Sequence, residues 1–514
     1  MPTRAASTAY AFSASPIKNH NQPVNGTRTR HALLALLCGA AMPFAFSPFD
    51  QAWLAIPALT GWLWLIRQGR PLQTGFAFGL GWFGFGAWWL APTLHTFGHL
   101  PWIAAGFCVL LVGAVMALLP ALWAWLTWKL AGKTALVLLV FPAAAIAEEW
   151  LRGHIFTGLP WTALGNVLLD TPAIGWASWF GVYGIALLPA LSAAALLLLL
   201  SSAHQRIGLA GIVMAGLLVL LAPAAETGQG AVHTAALVQA NIPQDKKWDA
   251  DFLNTTMQRY ALLSTGVAAR ADIIIWPEAA IPFFLQRAPG WSQWLNKQVE
   301  NWRTPLLYGG LQLTGQGTAQ NGLFALDPLA ETSLSERAFA GKHHLVPFGE
   351  YVPSWIPFLH TLVPEIANFK PADDGGVVQL RGIAYGALIC YESLFPEEAR
   401  NRVLNGAQVL VNITNDAWYG TTPAAWQHFQ AARMRAVETG RYVLRAANTG
   451  ITAMIQPNGE VAAIKPWWVQ TALLGHYQLS NRHTPYVRWG DWPLLICLMM
   501  LIIPLFRGRR SSYE

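Results

Sequence analysis

Cys390, Glu278 and Lys342 are the side chains of this sequence best suited to covalent chemistry. A thiolate attacks carbonyl carbon readily, but a free thiol with a pKa near ~8.5 needs a base or a cation beside it. A carboxylate can take that proton and later return it, provided burial brings its pKa toward the working pH. A fixed ammonium can stabilise both the thiolate and the oxyanion of a tetrahedral intermediate. Taken singly, none of the three is specific. Cys390 also reads as a buried core cysteine, Glu278 as a solvated turn acid and Lys342 as a surface lysine. The other cysteines, Cys38, Cys108 and Cys497, fall in long apolar stretches, where a thiol serves as a small packing residue. Cys390 is alone outside them, and in an oxidising compartment a solitary thiol is a liability unless it is buried or used.

The positions of these residues matter as much as their types. The run Ile383–Ile389 reads as a strand, and Cys390-Tyr391-Glu392-Ser393 follows at once. Ile273-Ile274-Ile275-Trp276 is an apolar strand that runs into Pro277 and Glu278. A reactive group at a strand end, where the chain turns sharply, is both presented and held. Lys342 lies in Ala338-Phe339-Ala340-Gly341-Lys342-His343-His344-Leu345-Val346-Pro347-Phe348-Gly349-Glu350. Further β-rich runs are expected at 233–242, 272–276, 306–311, 322–326, 407–413 and 451–455, with helices at 251–270 and 424–439. Such alternation predicts an α/β domain, a sheet covered by helices, over residues 226–488.

The rest of the chain is of another kind. The sequence is 54% hydrophobic and 11% charged, against about a quarter charged in soluble proteins. Residues 71–128 contain no Asp, Glu, Lys or Arg. Apolar stretches near 31–47, 51–66, 72–91, 102–128, 134–149, 180–201, 207–223 and 491–506 are candidate membrane spans, the first two short for the roughly 20 residues a bilayer needs. With a cytoplasmic N-terminus, Arg67/Arg70, Lys129/Lys133, Arg206 and Arg507/Arg509/Arg510 all fall inside. Arg152, beside Glu148 and Glu149, is the misfit. The predicted layout is a disordered tail at 1–30, a membrane domain at 31–225, an outer domain at 226–488, a last span at 489–508 and a short inner tail at 509–514. A net charge of +7 spread without a basic stripe argues against a nucleic-acid partner.

Glu278, Lys342 and Cys390, in these contexts, resemble the Glu-Lys-Cys triad of the nitrilase superfamily. Their coupling to a multi-span region resembles the apolipoprotein N-acyltransferase family. The resemblance covers nearly the whole chain beyond the tail. It is carried by Phe46-Ser47-Pro48, Gly158-Leu159-Pro160-Trp161, Gln239-Ala240-Asn241-Ile242-Pro243-Gln244 with Lys247-Trp248, and Ile275-Trp276-Pro277-Glu278. It continues through Leu345-Val346-Pro347-Phe348-Gly349-Glu350, Ile389-Cys390-Tyr391-Glu392, Asn415-Asp416-Ala417-Trp418, Trp426-Gln427-His428-Phe429-Gln430 with Met434-Arg435, and Asn448-Thr449-Gly450-Ile451-Thr452. The resemblance implies an αββα sandwich facing the periplasm on an eight-helix region of the bacterial inner membrane. It implies Glu278 as base, Lys342 as charge stabiliser and Cys390 as nucleophile. Glu350, Tyr391, Glu392 and Trp248 match supporting positions, Glu350 orienting Lys342 and Trp248 contacting acyl chains. The activity implied is transfer of the sn-1 acyl chain of a phospholipid such as phosphatidylethanolamine to the S-diacylglyceryl cysteine of an apolipoprotein. No cofactor or metal is expected, and nothing demands more than a monomer.

Three other readings compete. With water as acceptor, the same residues make a membrane-tethered amidase or lipid hydrolase. His343, His344 or His428 would be the base of a Cys-His enzyme, or ligands of a metal, although adjacent strand histidines face opposite ways. A transporter with an inert outer domain would need more intramembrane charge than these spans hold. The proline-rich stretch 351–371 is a candidate lid.

Overall fold

A computed structural model of the chain describes residues 24–508 apart from 225, 227, 229, 330–337 and 355–367. Both chain ends and most of the candidate lid at 351–371 lie outside the described residues. The first helix, Val24–Ala41, opens inside the stretch expected to be a disordered tail. No proline interrupts residues 24–41, so the helix propagates back from its apolar part at one hydrogen bond per residue.

Helices Ala55–Ile66, Pro71–Gly79, Trp102–Ala131, Val137–His154, Leu187–Leu199, Gln205–Leu220 and Pro493–Gly508 pack with it into a bundle. Its core includes Trp62, Trp123 and Phe141, with Trp62 stacked on Phe78 at 4.0 Å. Among the described residues one helix, Trp102–Ala131, is by itself long and apolar enough to cross a bilayer. The pair Pro172–Ile185 and Leu187–Leu199 passes that test only jointly and is bent by 69°. Helix length and composition therefore do not carry eight separate spans. The expected 72–91 span is broken into Pro71–Gly79, a π-turn at Leu80–Gly84 and Leu90–Thr96. Close packing explains the glycines here: a Cβ on Gly79 would overlap Ala117 of the long helix.

Arg152, the exception to the expected charge pattern, is a structural residue. It is buried, 2.6 Å from Glu149, and donates to the carbonyls of Trp161 (2.8 Å) and Leu159 (3.2 Å). Glu149 in turn accepts from the Leu164 amide at 3.0 Å. This charge group thus fastens the loop after helix Val137–His154, and the ion-paired guanidinium gives Arg152 a packing role apart from the expected charge pattern.

Residues 232–478 form two facing sheets. One runs Thr471–Gln478, Val232–Gln239, Ile273–Ile275, Leu306–Leu313, Ala319–Leu326, Phe339–Gly341, with Ile281–Phe284 also on Leu306–Leu313. The other runs Val461–Lys465, Thr452–Ile455, Val443–Ala447, Val409–Thr414, Ile383–Ile389, Val377–Leu380. Ile273 and Ile275 meet Ala387, Ile389 and Val411 between the sheets, while Ile274 faces Met257, Tyr260 and Leu295 of the covering helices. A strand covered on both faces must be apolar at every position, which is why Ile273–Ile275 shows no alternation. Helices Leu253–Thr265 and Pro289–Trp302 cover the first sheet; Pro396–Leu404 and Ala424–Thr439 cover the second. The domain is the expected αββα sandwich.

Candidate active site

Glu278, Lys342 and Cys390 each follow the carboxyl end of a strand. Ile273–Ile275 and Leu306–Leu313 are parallel, and two antiparallel steps bring Phe339–Gly341 back to the same direction. Glu278 and Lys342 therefore leave one edge of the first sheet, and Cys390 leaves the second sheet opposite them. Gly309 makes room for the first: any Cβ there would overlap the Pro277–Glu278 backbone. Cys390 has φ 52°, a left-handed conformation that a side chain adopts only when its surroundings enforce it. The result is a sharp elbow from strand into the turn Cys390–Leu394.

The three side chains are buried. Lys342 Nζ lies 3.5 Å from Glu278 Oε1 and 2.8 Å from Glu350 Oε1. Glu350 Oε2 also accepts from the Val346 amide at 2.7 Å, and Asn321 Nδ2 donates to Glu278 Oε1 at 2.8 Å. Burial lowers the Lys342 pKa, but Glu350 and then Glu278 more than offset this, so the ammonium is held well above the usual lysine range. Burial pushes the Cys390 thiol up, and the Glu278 carboxylate adds to the rise while Lys342 opposes it. The net rise differs from the lowered pKa that a nucleophilic cysteine usually needs. Burial and Glu278 thus favour the protonated thiol, and attack by the sulfur calls for a base facing it.

Glu350 and Glu392 divide the supporting work. Glu350 touches Lys342 directly. Glu392 does not; its Oε2 accepts from the Ile389 amide (2.7 Å) and its Oε1 from the amides of His343 (2.7 Å) and His344 (3.1 Å). It thereby clamps the segment after Lys342 to the elbow, with Arg402 NH2 3.2 Å away. Glu392→Ala strands three backbone donors and leaves the buried Arg402 with Glu398 as its one remaining carboxylate, and is expected to cost about 3–5 kcal/mol. Denaturant unfolding of the detergent-solubilised protein measures this; a loss under 1 kcal/mol would show the clamp to be dispensable. Tyr391 turns the other way, and its hydroxyl donates to the Gly158 carbonyl at 3.2 Å. It ties the elbow to the loop that Arg152 fastens. Trp248 is 53% exposed at the rim and is not drawn into the cluster.

The histidines are engaged elsewhere. His343 Nε2 lies 3.0 Å from Asp374, and His344 stacks on Phe395 at 3.7 Å, both in the loop beyond the strand. His428 Nε2 is 2.8 Å from the Cys390 carbonyl. Among the described residues no group of three His, Cys, Asp or Glu side chains could hold a metal.

Three residues at the site carried no role in the sequence reading. Asn321 orients Glu278 from a neighbouring strand. Lys247 is buried and its Nζ donates to the Glu278 carbonyl at 2.9 Å. Burial takes its pKa down to about 8, against the pull of Glu278 and Cys390. Tyr419 stands against Trp89 and Trp161, ring centres 5.2 and 5.6 Å apart, and joins bundle and sandwich next to the thiol. Lys247 lies within the Lys247-Trp248 pair and Tyr419 follows Asn415-Asp416-Ala417-Trp418, which was the available signal; Asn321 had none.

The carbon-nitrogen hydrolase family matches residues 234–483, and the apolipoprotein N-acyltransferase N-terminal domain matches residues 38–195. The chain is 38% identical to an apolipoprotein N-acyltransferase of Methylococcus capsulatus, over 93% of this chain and 97% of that protein. It is 37% identical to one of Ralstonia nicotianae, over 94% of both, and 31% identical to one of Haemophilus influenzae, over 92% and 93%. An amidase from Nesterenkonia sp. superposes on 52% of this chain and 97% of its own with a TM-score of 0.35 at 17% identity. On the strength of whole-length relatives at this identity, the chain belongs to the apolipoprotein N-acyltransferase family.

Proposed function

We propose that the protein is an integral-membrane acyltransferase that moves the sn-1 acyl chain of a phospholipid, through a thioester on Cys390, onto the amino group of a lipoprotein's S-diacylglyceryl cysteine. The observation that carries this reading is the elbow: a buried thiol at a left-handed strand end, facing a carboxylate and an ammonium, and tied through Tyr391 to the helical bundle. Glu278 takes the thiol proton as sulfur attacks the ester carbonyl, and Lys342 faces the oxyanion. The intermediate collapses with the proton passing to the departing lysophospholipid oxygen. The acceptor amine then attacks the thioester, gives its proton to Glu278, and the thiol re-forms by taking it back. An amide is more stable than a thioester, so the second half runs downhill, and two half-reactions through one site give ping-pong kinetics.

The outer surface of the bundle supports a membrane setting. Ile103, Phe107, Leu110, Leu111, Val115 and Leu118 of the long helix are all more than half exposed. An apolar belt of that extent suits acyl chains rather than water. In this reading the shorter helices complete eight tilted or broken spans, with the sandwich on the periplasmic side of the inner membrane, and Trp248 at the rim meets incoming acyl chains. Holding both lipid substrates at the membrane avoids extracting them at about 0.8 kcal/mol per CH₂.

The test is intact mass spectrometry of the protein in mild detergent with phosphatidylethanolamine. The expected result is one acyl chain on Cys390, removed by a diacylated lipopeptide and persistent in water. Discharge by water at an equal rate would replace the transferase with a lipid hydrolase.

A further inference from the structure

His428 belongs to helix Ala424–Thr439, which packs against the turn carrying the nucleophile. Its ring is fully buried, and both nitrogens are committed. A carbonyl oxygen can only accept, so the 2.8 Å contact between Nε2 and the Cys390 carbonyl is an Nε2–H donation. Ser393 Oγ stands 2.8 Å from the same nitrogen and also donates to the Cys390 carbonyl, at 3.1 Å. Behind the ring, Nδ1 lies 3.0 Å from Asp416 Oδ1. Asp416 accepts from Arg445 NH2 at 2.7 Å and from the Thr414 hydroxyl at 2.8 Å. Burial would raise the Asp416 pKa, but Arg445 and then His428 bring it down to about 2, so the carboxylate is a fixed anchor.

The geometry points to His428 as a positioning residue for the nucleophile. By holding the Cys390 carbonyl it keeps the backbone in its left-handed conformation and aims the sulfur at Glu278 and Lys342. A non-glycine residue in that conformation costs about 1–3 kcal/mol and persists only where neighbours over-determine it. The chain Arg445–Asp416–His428 supplies that constraint from the side away from the substrate. This role differs from that of a Cys-His base, because the imidazole contacts the carbonyl of Cys390 and leaves the thiol to the carboxylate.

The inference rests on the reading of Cys390 as nucleophile, so its test reads the thiol without any lipid. The rate of Cys390 alkylation by iodoacetamide is followed by peptide mass spectrometry in wild type, Glu278→Gln, His428→Ala and the double variant. Misaiming by about an ångström costs on the order of 100-fold, the fall expected for His428→Ala. The decisive readout is coupling: Glu278→Gln slows alkylation at least about 10-fold in wild type and less than about 3-fold beside His428→Ala. His428→Gln, whose amide N–H reaches toward the same carbonyl, recovers part of the rate. A protein that was merely less stable would show a lower melting temperature with the Glu278 effect intact. Additive effects, or His428→Ala reacting within about 3-fold of wild type, would overturn the proposal. If His428→Ala does not fold, Asp416→Asn replaces it in the same cycle, with a fall of about 10-fold expected and additivity again the overturning result.

Discussion

Replacing Cys390 by serine is expected to abolish the acyl-enzyme and lower turnover by at least about 10⁴-fold. The reason lies in how little separates the native thiol from inactivity. Burial already pushes its pKa up, so in the proposed mechanism Glu278 takes the proton during attack. A serine hydroxyl is a far weaker acid than a thiol, and a carboxylate cannot draw its proton at a comparable rate. Nothing else on the elbow compensates: Ser393 donates to the Cys390 carbonyl, and His428 is bound to the same oxygen. The serine variant fits the space, since the change removes volume without altering the backbone, so loss of folding does not confound the result. Intact mass after incubation with phospholipid decides the matter. An adduct on the serine variant at the wild-type rate, or one mapping to Cys38, Cys108 or Cys497, would remove Cys390 from the mechanism.

Glu278→Gln is expected to slow both half-reactions by about 10³-fold, within the range for loss of a general base. In the proposed mechanism one carboxylate serves thiol and leaving group in the first half, then amine and sulfur in the second, so the two are expected to fall together. Asn321 donates to Glu278 Oε1 and Lys342 stands 3.5 Å from the same oxygen, so the glutamine carbonyl keeps both contacts while its NH₂ replaces the other carboxylate oxygen and the basicity is lost. Lys342 keeps Glu350 at 2.8 Å, so its charge survives the substitution and the effect belongs to the base. Single-turnover acylation and lipopeptide-driven discharge, measured separately, give the two rates. A fall confined to one half-reaction, or smaller than about 10-fold in both, would assign proton transfer to another group.

Much of this site was legible because the αββα fold presents its reactive groups at strand ends. Strands buried on both faces are runs such as Ile273–Ile275 and Val409–Thr414, and the first polar residues beyond such runs stand out. Strands Val461–Lys465 and Thr471–Gln478 escaped notice for the opposite reason. The first is a half-exposed edge, and the second pairs with Val232–Gln239 across more than 200 residues, which no local pattern records. The break in the expected 72–91 span was equally hidden, because an apolar run with many glycines reads alike whether continuous or bent. The π-turn at Leu80–Gly84 and the close approaches of Gly75, Gly79 and Gly81 to neighbouring helices distinguish the two.

By itself the sequence determined the chemistry on offer: one thiol outside the apolar stretches, a carboxylate and an ammonium beyond strand-like runs, and a charge-poor half, with no Asp, Glu, Lys or Arg over residues 71–128, suited to lipid. Reactivity of that kind is a property of side-chain type and local backbone, and both are written in short segments. Tertiary structure decided what surrounds those groups. It placed Glu392 in a clamp and Glu350 on the lysine, buried Arg152 as a fastener, added Lys247 and Asn321 behind Glu278, and turned His428 onto the Cys390 carbonyl. Those roles depend on contacts that no local pattern records, from Lys342 with Glu350 to Glu278 with Asn321 and Cys390 with His428, and the direction of the Cys390 pKa shift depends on burial, which only the folded surroundings supply.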